Sequence, residues 1–196
     1  MSMFSGKETV AGGGKVDPGV CARCAGLGPT CCHLTPGHEE FCFPVSEMEK
    51  GRILESMPCT GGFVLEENSE AFVDNVCRLF PGEEDVVREL FPRAKSHYRL
   101  AIGEEGACRF LGSSGCTIPR EIRPYYCRLF PFWMAGNEVI IFDAQSCLAR
   151  REARNLNRML ESIGTTKSEI RDLFGRLRLA WNLPPQRGMN SVKKKF

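Results

Sequence analysis

At 196 residues, 42% hydrophobic and 26% charged, the chain is long enough for one core and hardly long enough for two. Its 26 basic and 24 acidic residues leave a formal charge of +2, a balance that points to neither a nucleic-acid nor a membrane partner. Eleven cysteines is a high and odd count, which fits a full set of disulfides badly.

Residues 1–18 are polar and glycine-rich and read as a flexible tail. The run Gly12-Gly13-Gly14 has neither a strand before it nor Gly-Lys-Ser/Thr after it, so it is no phosphate loop. No apolar run of secretory or membrane-spanning length occurs, so the expectation is a cytoplasmic, reducing setting. Clustered cysteines there are metal-binding or catalytic rather than paired.

From Asp17 to Pro44 the chain is irregular, and a loop of that length needs something to hold it. Cys21, Cys24, Cys31 and Cys32 fall within twelve residues and have almost no apolar neighbours. Thiolates are soft ligands for zinc, copper(I) and iron-sulfur clusters, and a Cys-x-x-Cys turn lets two sulfurs reach one metal. His33 and His38 read as solvated or hydrogen-bonded loop residues, and Cys42, between Phe41 and Phe43, as a small core residue.

Ser46-Glu47-Met48-Glu49 is a capping box that opens a helix with Ile53, Leu54 and Met57 on one face, ending before Pro58. Cys59 lies in a turn, and Phe63-Val64-Leu65 is a short strand. Ser69 caps a second helix with Phe72, Val73, Val76, Cys77 and Phe80 inward, and Glu83–Phe91 forms a third with an acidic first turn. Cys77-Arg78-Leu79-Phe80-Pro81 recurs as Cys127-Arg128-Leu129-Phe130-Pro131, but the likeness stops at once on either side, so duplication is the weaker reading.

Tyr98–Ile102 and Cys108–Leu111 have strand character, and Gly112-Ser113-Ser114-Gly115 turns the chain into Cys116-Thr117-Ile118. If Leu111 faces Cys116, a period of two puts Cys108 and Cys116 on opposite faces; a three-residue loop with a bulge, or a comparable distortion, brings them to one face. Pro124 holds Arg123 extended just before Tyr125-Tyr126-Cys127. Thiolates around a metal carry net negative charge, so Arg120, Arg123 and Arg128 are expected to surround them. Val139–Phe142 is the clearest strand, a helix follows from about Cys147 to Ile163, and Thr166-Lys167-Ser168-Glu169 opens a last helix with Ile170, Leu173, Phe174, Leu177 and Trp181 inward. Residues 184–196 read as a flexible basic tail.

The motifs Cys21-x2-Cys24-x6-Cys31-Cys32, Cys108-x-Phe110-Leu111-x4-Cys116-x-Ile118 and Arg123-Pro124-x2-Cys127-Arg128-x-Phe130-Pro131 together resemble the YkgJ-type cysteine-cluster family. That family is described as a zinc- or iron-chelating domain shared with flagellin lysine N-methylases. The resemblance spans roughly residues 21–147 and implies a further cysteine after the last strand, where Cys147 stands. The gap between Cys24 and Cys31 is longer than the family's, and Pro119 replaces its aromatic residue. No glycine-rich strand-to-helix turn for S-adenosylmethionine and no Cys-x3-Cys-x2-Cys radical motif is present, so methylation is not carried over.

The expectation is an α+β fold over residues 19–183, a small cysteine-rich, metal-centred domain with a short antiparallel sheet packed by several helices. Its ligands are drawn from Cys21, Cys24, Cys31, Cys32, Cys108, Cys116, Cys127 and Cys147. The surplus of thiols over one tetrahedral zinc favours an iron-sulfur cluster (4Fe-4S) or iron, serving a protein redox partner or acting on a protein substrate. The alternative is a zinc-binding interaction module without redox chemistry.

Overall fold

In the computed structural model, which describes residues 19–28, 30–58 and 61–185, side-chain caps set where the main helices begin. The tails read at 1–18 and over most of 184–196, and the turn at Cys59, lie outside the described residues. Ser46 Oγ accepts the amide proton of Glu49 while the Glu49 carboxylate accepts that of Ser46, and helix α2 runs Glu47–Ser56 from this box. Ser69 caps α3 (Glu70–Leu79), and Thr166 with Glu169 opens α8 (Lys167–Ala180). Between α3 and α8 lie α4 (Glu84–Leu90), α5 (Tyr125–Leu129), α6 (Leu148–Glu152) and α7 (Leu156–Ile163).

The fold is α+β, but the strands do not form one sheet. They make three separate antiparallel ribbons: β1 (Phe63–Glu67) with β2 (Ser96–Leu100), β3 (Leu111–Gly112) with β4 (Gly115–Cys116), and β5 (Phe132–Ala135) with β6 (Glu138–Ile141). The partner of the Val139 strand is thus Phe132–Ala135, joined to it by a turn in which Gly136 takes a φ of +57°. The single helix expected from Cys147 to Ile163 is two. Ala153 is extended, and the Asn155 side chain accepts the Arg158 amide proton, starting α7 afresh. Within the loop expected over 17–44, Val20–Ala25 forms a short helix, α1, anchored by buried Val20.

The main core packs α3, α4, α5, α7 and α8 around the β5–β6 ribbon, with Phe72, Leu129, Phe132, Met159, Phe174 and Leu177 almost fully buried. The repeated pentapeptides both close helices, yet differ in use. Cys77 is buried in this core, whereas Cys127 is exposed. Leu79 of the first copy spends its carbonyl on Trp133 Nε1 at 2.9 Å, tying α3 to β5. A second, smaller cluster of Ile53, Phe110 and Ile118 lies under the β3–β4 hairpin, and Cys108 and Cys116 rest against it.

Candidate metal centre

The hairpin is where separated stretches of chain meet. The Cys108 amide donates to the Cys32 carbonyl at 2.8 Å, the Leu34 amide to the Gly106 carbonyl at 2.9 Å, and His33 bridges Ala107 in antiparallel fashion. Gly106 permits this approach: its φ is +80°, and a Cβ there would lie 1.8 Å from the Leu34 carbonyl oxygen. The segment carrying Cys31 and Cys32 is in this way held against residues 106–108.

Leu111 pairs with Cys116, the register in which a regular strand would separate Cys108 from Cys116. The expected strand at Cys108–Leu111 is instead a turn, closed by the Leu111 amide on the Cys108 carbonyl at 2.8 Å. That turn breaks the period of two, and both cysteines pack on the same small cluster of Phe110 and Ile118.

Helix α1 lies on β4. The absent Cβ of Gly115, whose φ is +99°, would sit 3.6 Å from the Cys21 carbonyl oxygen, so the helix backbone rests close to the hairpin tip. Cys21 and Cys24, three residues apart, share one face of α1. A bidentate Arg23–Glu152 pair, at 3.0 and 2.9 Å, joins α1 to α6, whose first residue follows Cys147.

Helix α5 brings Cys127. Arg123 donates from Nε to the Ile118 carbonyl at 2.7 Å and from Nη2 to the Cys116 carbonyl at 3.1 Å, locking the hairpin to the start of α5. The Glu49 carboxylate accepts the Tyr125 amide proton at 2.7 Å, and Arg52 donates to the Tyr125 hydroxyl at 3.0 Å and the Arg123 carbonyl at 3.3 Å. Glu49 and Arg52 are the positioning residues that motif reading missed. They lie three apart on α2, one turn of one face, but Glu49 is already accounted for by its capping box.

All ten described cysteines are free thiols. Cys31 and Cys32 share a hydrogen bond, so the proton stays on Cys31, whose pKa is raised, while that of Cys32 falls to about 7, helped by Thr30 and Arg123 against the effect of burial. Burial raises Cys108 to about 11, and the charges of Cys32 and Cys116 add to it. Cys127 is solvent-accessible yet crowded by protein: burial first, then the charges of Cys32, Cys108 and Cys116, hold its pKa well above that of an ordinary thiol. Burial raises Cys116 while Arg123 opposes it. Cys21 is raised by burial and next by Cys147, and Cys147 by burial with Cys24 among its charged neighbours. Two sets emerge, Cys31, Cys32, Cys108, Cys116 and Cys127 around Cys32, and Cys21, Cys24 and Cys147 between α1 and α6, linked through Cys21, which also neighbours Cys31 and Cys32.

Of the three arginines expected around these thiols, Arg123 is the one whose charge favours thiolate at Cys21, Cys32 and Cys116. Arg120 donates to the Ile163 and Gly164 carbonyls at the end of α7, and Arg128 to the Glu121 carbonyl, so both are directed elsewhere. His33 Nδ1 is hydrogen-bonded by Thr30 and His38 pairs with Glu40, as loop histidines. Cys42 is half-buried, and Cys77 donates weakly to the Glu84 carbonyl at 3.8 Å.

Among the described residues, no group of three or more His, Cys, Asp or Glu side chains is already arranged to hold a metal ion. No helix among them is long and apolar enough to cross a membrane. No family model, curated protein or solved structure matches the chain.

Proposed function

We propose that this chain is a metal-thiolate protein whose cysteines hold an iron-sulfur centre or iron, working as an electron carrier for a protein partner. The observation that carries the reading is the hydrogen bond from the Cys108 amide to the Cys32 carbonyl, which lays the N-terminal thiol pair against the hairpin thiols across 76 positions of chain. A structural reason for such long-range convergence of soft donors is a shared metal.

The donor chemistry fits. Cys32, Cys108, Cys116 and Cys127, with Cys31 beside them, would hold the centre, and Arg123 would offset its negative charge. The thiols influence one another, and those that took up a metal would lose their protons on binding it. An iron-sulfur centre would supply one-electron redox chemistry. The chain's own residues do the placing: Glu49 and Arg52 hold the start of α5, and Arg123 ties it to the hairpin. The motif resemblance to the YkgJ-type cysteine-cluster proteins supports the same reading.

Zinc has one observation of its own. Helix α1 buries only Val20, so a metal shared by Cys21, Cys24 and Cys147 would act there as a staple in place of missing core.

The deciding experiment is anaerobic purification followed by the visible absorption spectrum with iron, zinc and acid-labile sulfide per chain. Iron and sulfide at about four each per chain, with a brown colour, would establish the cluster. A colourless protein with one or two zinc ions per chain would replace it with the zinc module.

A further inference from the structure

The formal charge of +2 conceals a division. Residues 39–105 carry 15 acidic and 7 basic side chains, and residues 106–185 carry 7 acidic and 12 basic. Three of the basic residues of the second stretch, with Arg52 from the first, gather around α5. Arg128 of α5 has Arg52, Arg176 and Arg120 as its like-charged neighbours, one each from α2, α8 and the short 3-10 turn before α5. Their places are set by bonds that leave the charge uncancelled: Arg52 on the Tyr125 hydroxyl, Arg120 on the Ile163 and Gly164 carbonyls, Arg128 on the Glu121 carbonyl. Among the described residues only Arg176 of the four meets a carboxylate, that of Asp172 at 2.8 Å.

Like charges repel, so folding them together costs free energy that an anionic partner recovers on binding. The arrangement is also well sited. Cys127 and Arg128 are successive residues of α5, about 100° apart around the helix, so the basic cluster lies next to the thiols. Leu179, 63% exposed, follows Arg176 by three residues on α8 and adds an apolar contact beside the charge.

We infer that this cluster of Arg52, Arg120, Arg128 and Arg176 is the docking surface for an acidic protein that exchanges electrons with the neighbouring thiolate centre; the partner's redox role rests on the function proposed above, the docking does not. Charge division favours a folded acidic protein over a nucleic acid. With a formal charge of only +2 the chain offers a nucleic acid little beyond these few arginines, whereas a compact acidic surface can be steered to such a local cluster. Rim arginines of this kind set association rate and salt dependence more than they set the final contact.

The test uses the full chain, as isolated and after metal removal, and an acidic plant-type 2Fe-2S ferredoxin as the probe, with binding followed by calorimetry at low and high salt. The expected result is a dissociation constant that rises with salt and rises roughly tenfold in the double variant Arg120→Gln/Arg176→Glu. Arg93→Gln, on the acidic part of the chain, should bind like the wild type, and thermal melts should show all variants folded. Equal binding by the double variant and the wild type overturns the inference. So does tighter binding of a single-stranded oligonucleotide than of ferredoxin at the same salt, or binding of inorganic phosphate alone. A chain that binds ferredoxin through these arginines but contains no iron keeps the docking surface and removes the redox reading. A chain with a cluster but arginine-independent binding does the reverse.

Discussion

The buried carboxylate of Glu49, 2% exposed, accepts the Tyr125 amide proton at 2.7 Å while also accepting those of the Ser46 amide at 3.0 Å and the Ser46 hydroxyl at 2.6 Å. One side chain therefore caps two helices, its own α2 and the Cys127-bearing α5. Glu49→Ala would leave three buried donors without an acceptor, and a loss of about 3 kcal/mol is expected. Urea unfolding checks the stability. Metal per folded chain should fall as well, because the start of α5 would no longer be held.

Single Cys→Ser changes at Cys32, Cys108, Cys116 and Cys127 should each lower metal content, since their thiols form one interacting set. Cys42→Ser and Cys77→Ser should not. Cys77 is 6% exposed in the main core, so its replacement should cost roughly 1 kcal/mol of stability instead. Metal analysis of the purified variants decides; full occupancy in Cys127→Ser would remove α5 from the site.

Gly106→Ala separates the site from the fold. The new methyl group would meet the Leu34 carbonyl, and the Cys31–Cys32 segment must leave residues 106–108. The main core contains no residue of either segment. The expected variant keeps a cooperative thermal transition but loses most of its metal, read by melting and metal analysis on one sample.

His97 should make stability pH-dependent. It is 5% exposed, stacked on Phe72 with ring centroids 3.7 Å apart and bonded to Asn68 at 2.8 Å. Burial lowers its pKa to about 4; Glu66 works against that and Arg99 with it. The folded protein thus keeps His97 neutral at pH values where the unfolded chain, with an ordinary pKa near 6.5, takes up a proton. Stability present above about pH 6.5 is lost as pH falls towards 4, by up to roughly 3 kcal/mol. In His97→Phe the loss of a donor to Asn68 is the same at every pH, so the difference in urea midpoint between variant and wild type should shrink from pH 7 to pH 5. A constant difference would show that His97 titrates normally.

Arg178 is 2% exposed and holds Glu83 through two nitrogens, at 3.1 and 2.6 Å, besides donating to the Pro184 carbonyl. Arg178→Ala strands Glu83 and is expected to cost about 3 to 4 kcal/mol. Arg178→Lys, which cannot bond as a fork, should fall between. Chemical denaturation of the three proteins checks the order.

Local signals carried far in this chain. The caps at Ser46, Ser69 and Thr166 and the apolar faces behind them placed α2, α3 and α8 correctly, because a cap and its helix lie within a few residues and need no other part of the chain. Composition likewise determined which residues are candidate ligands, since a thiol's affinity for soft metals is a property of the side chain. Tertiary structure decided what those signals could not reach. It turned Cys108–Leu111 out of the strand, so that Cys108 and Cys116 rest on one cluster despite an unfavourable register. It sent Arg120 to the carbonyls that end α7 and Arg128 back to the Glu121 carbonyl, kept Arg123 at the thiols, and gave Glu49 a second helix to cap. Each of these rests on a hydrogen bond or close contact whose partner is set by packing, and packing depends on every segment at once.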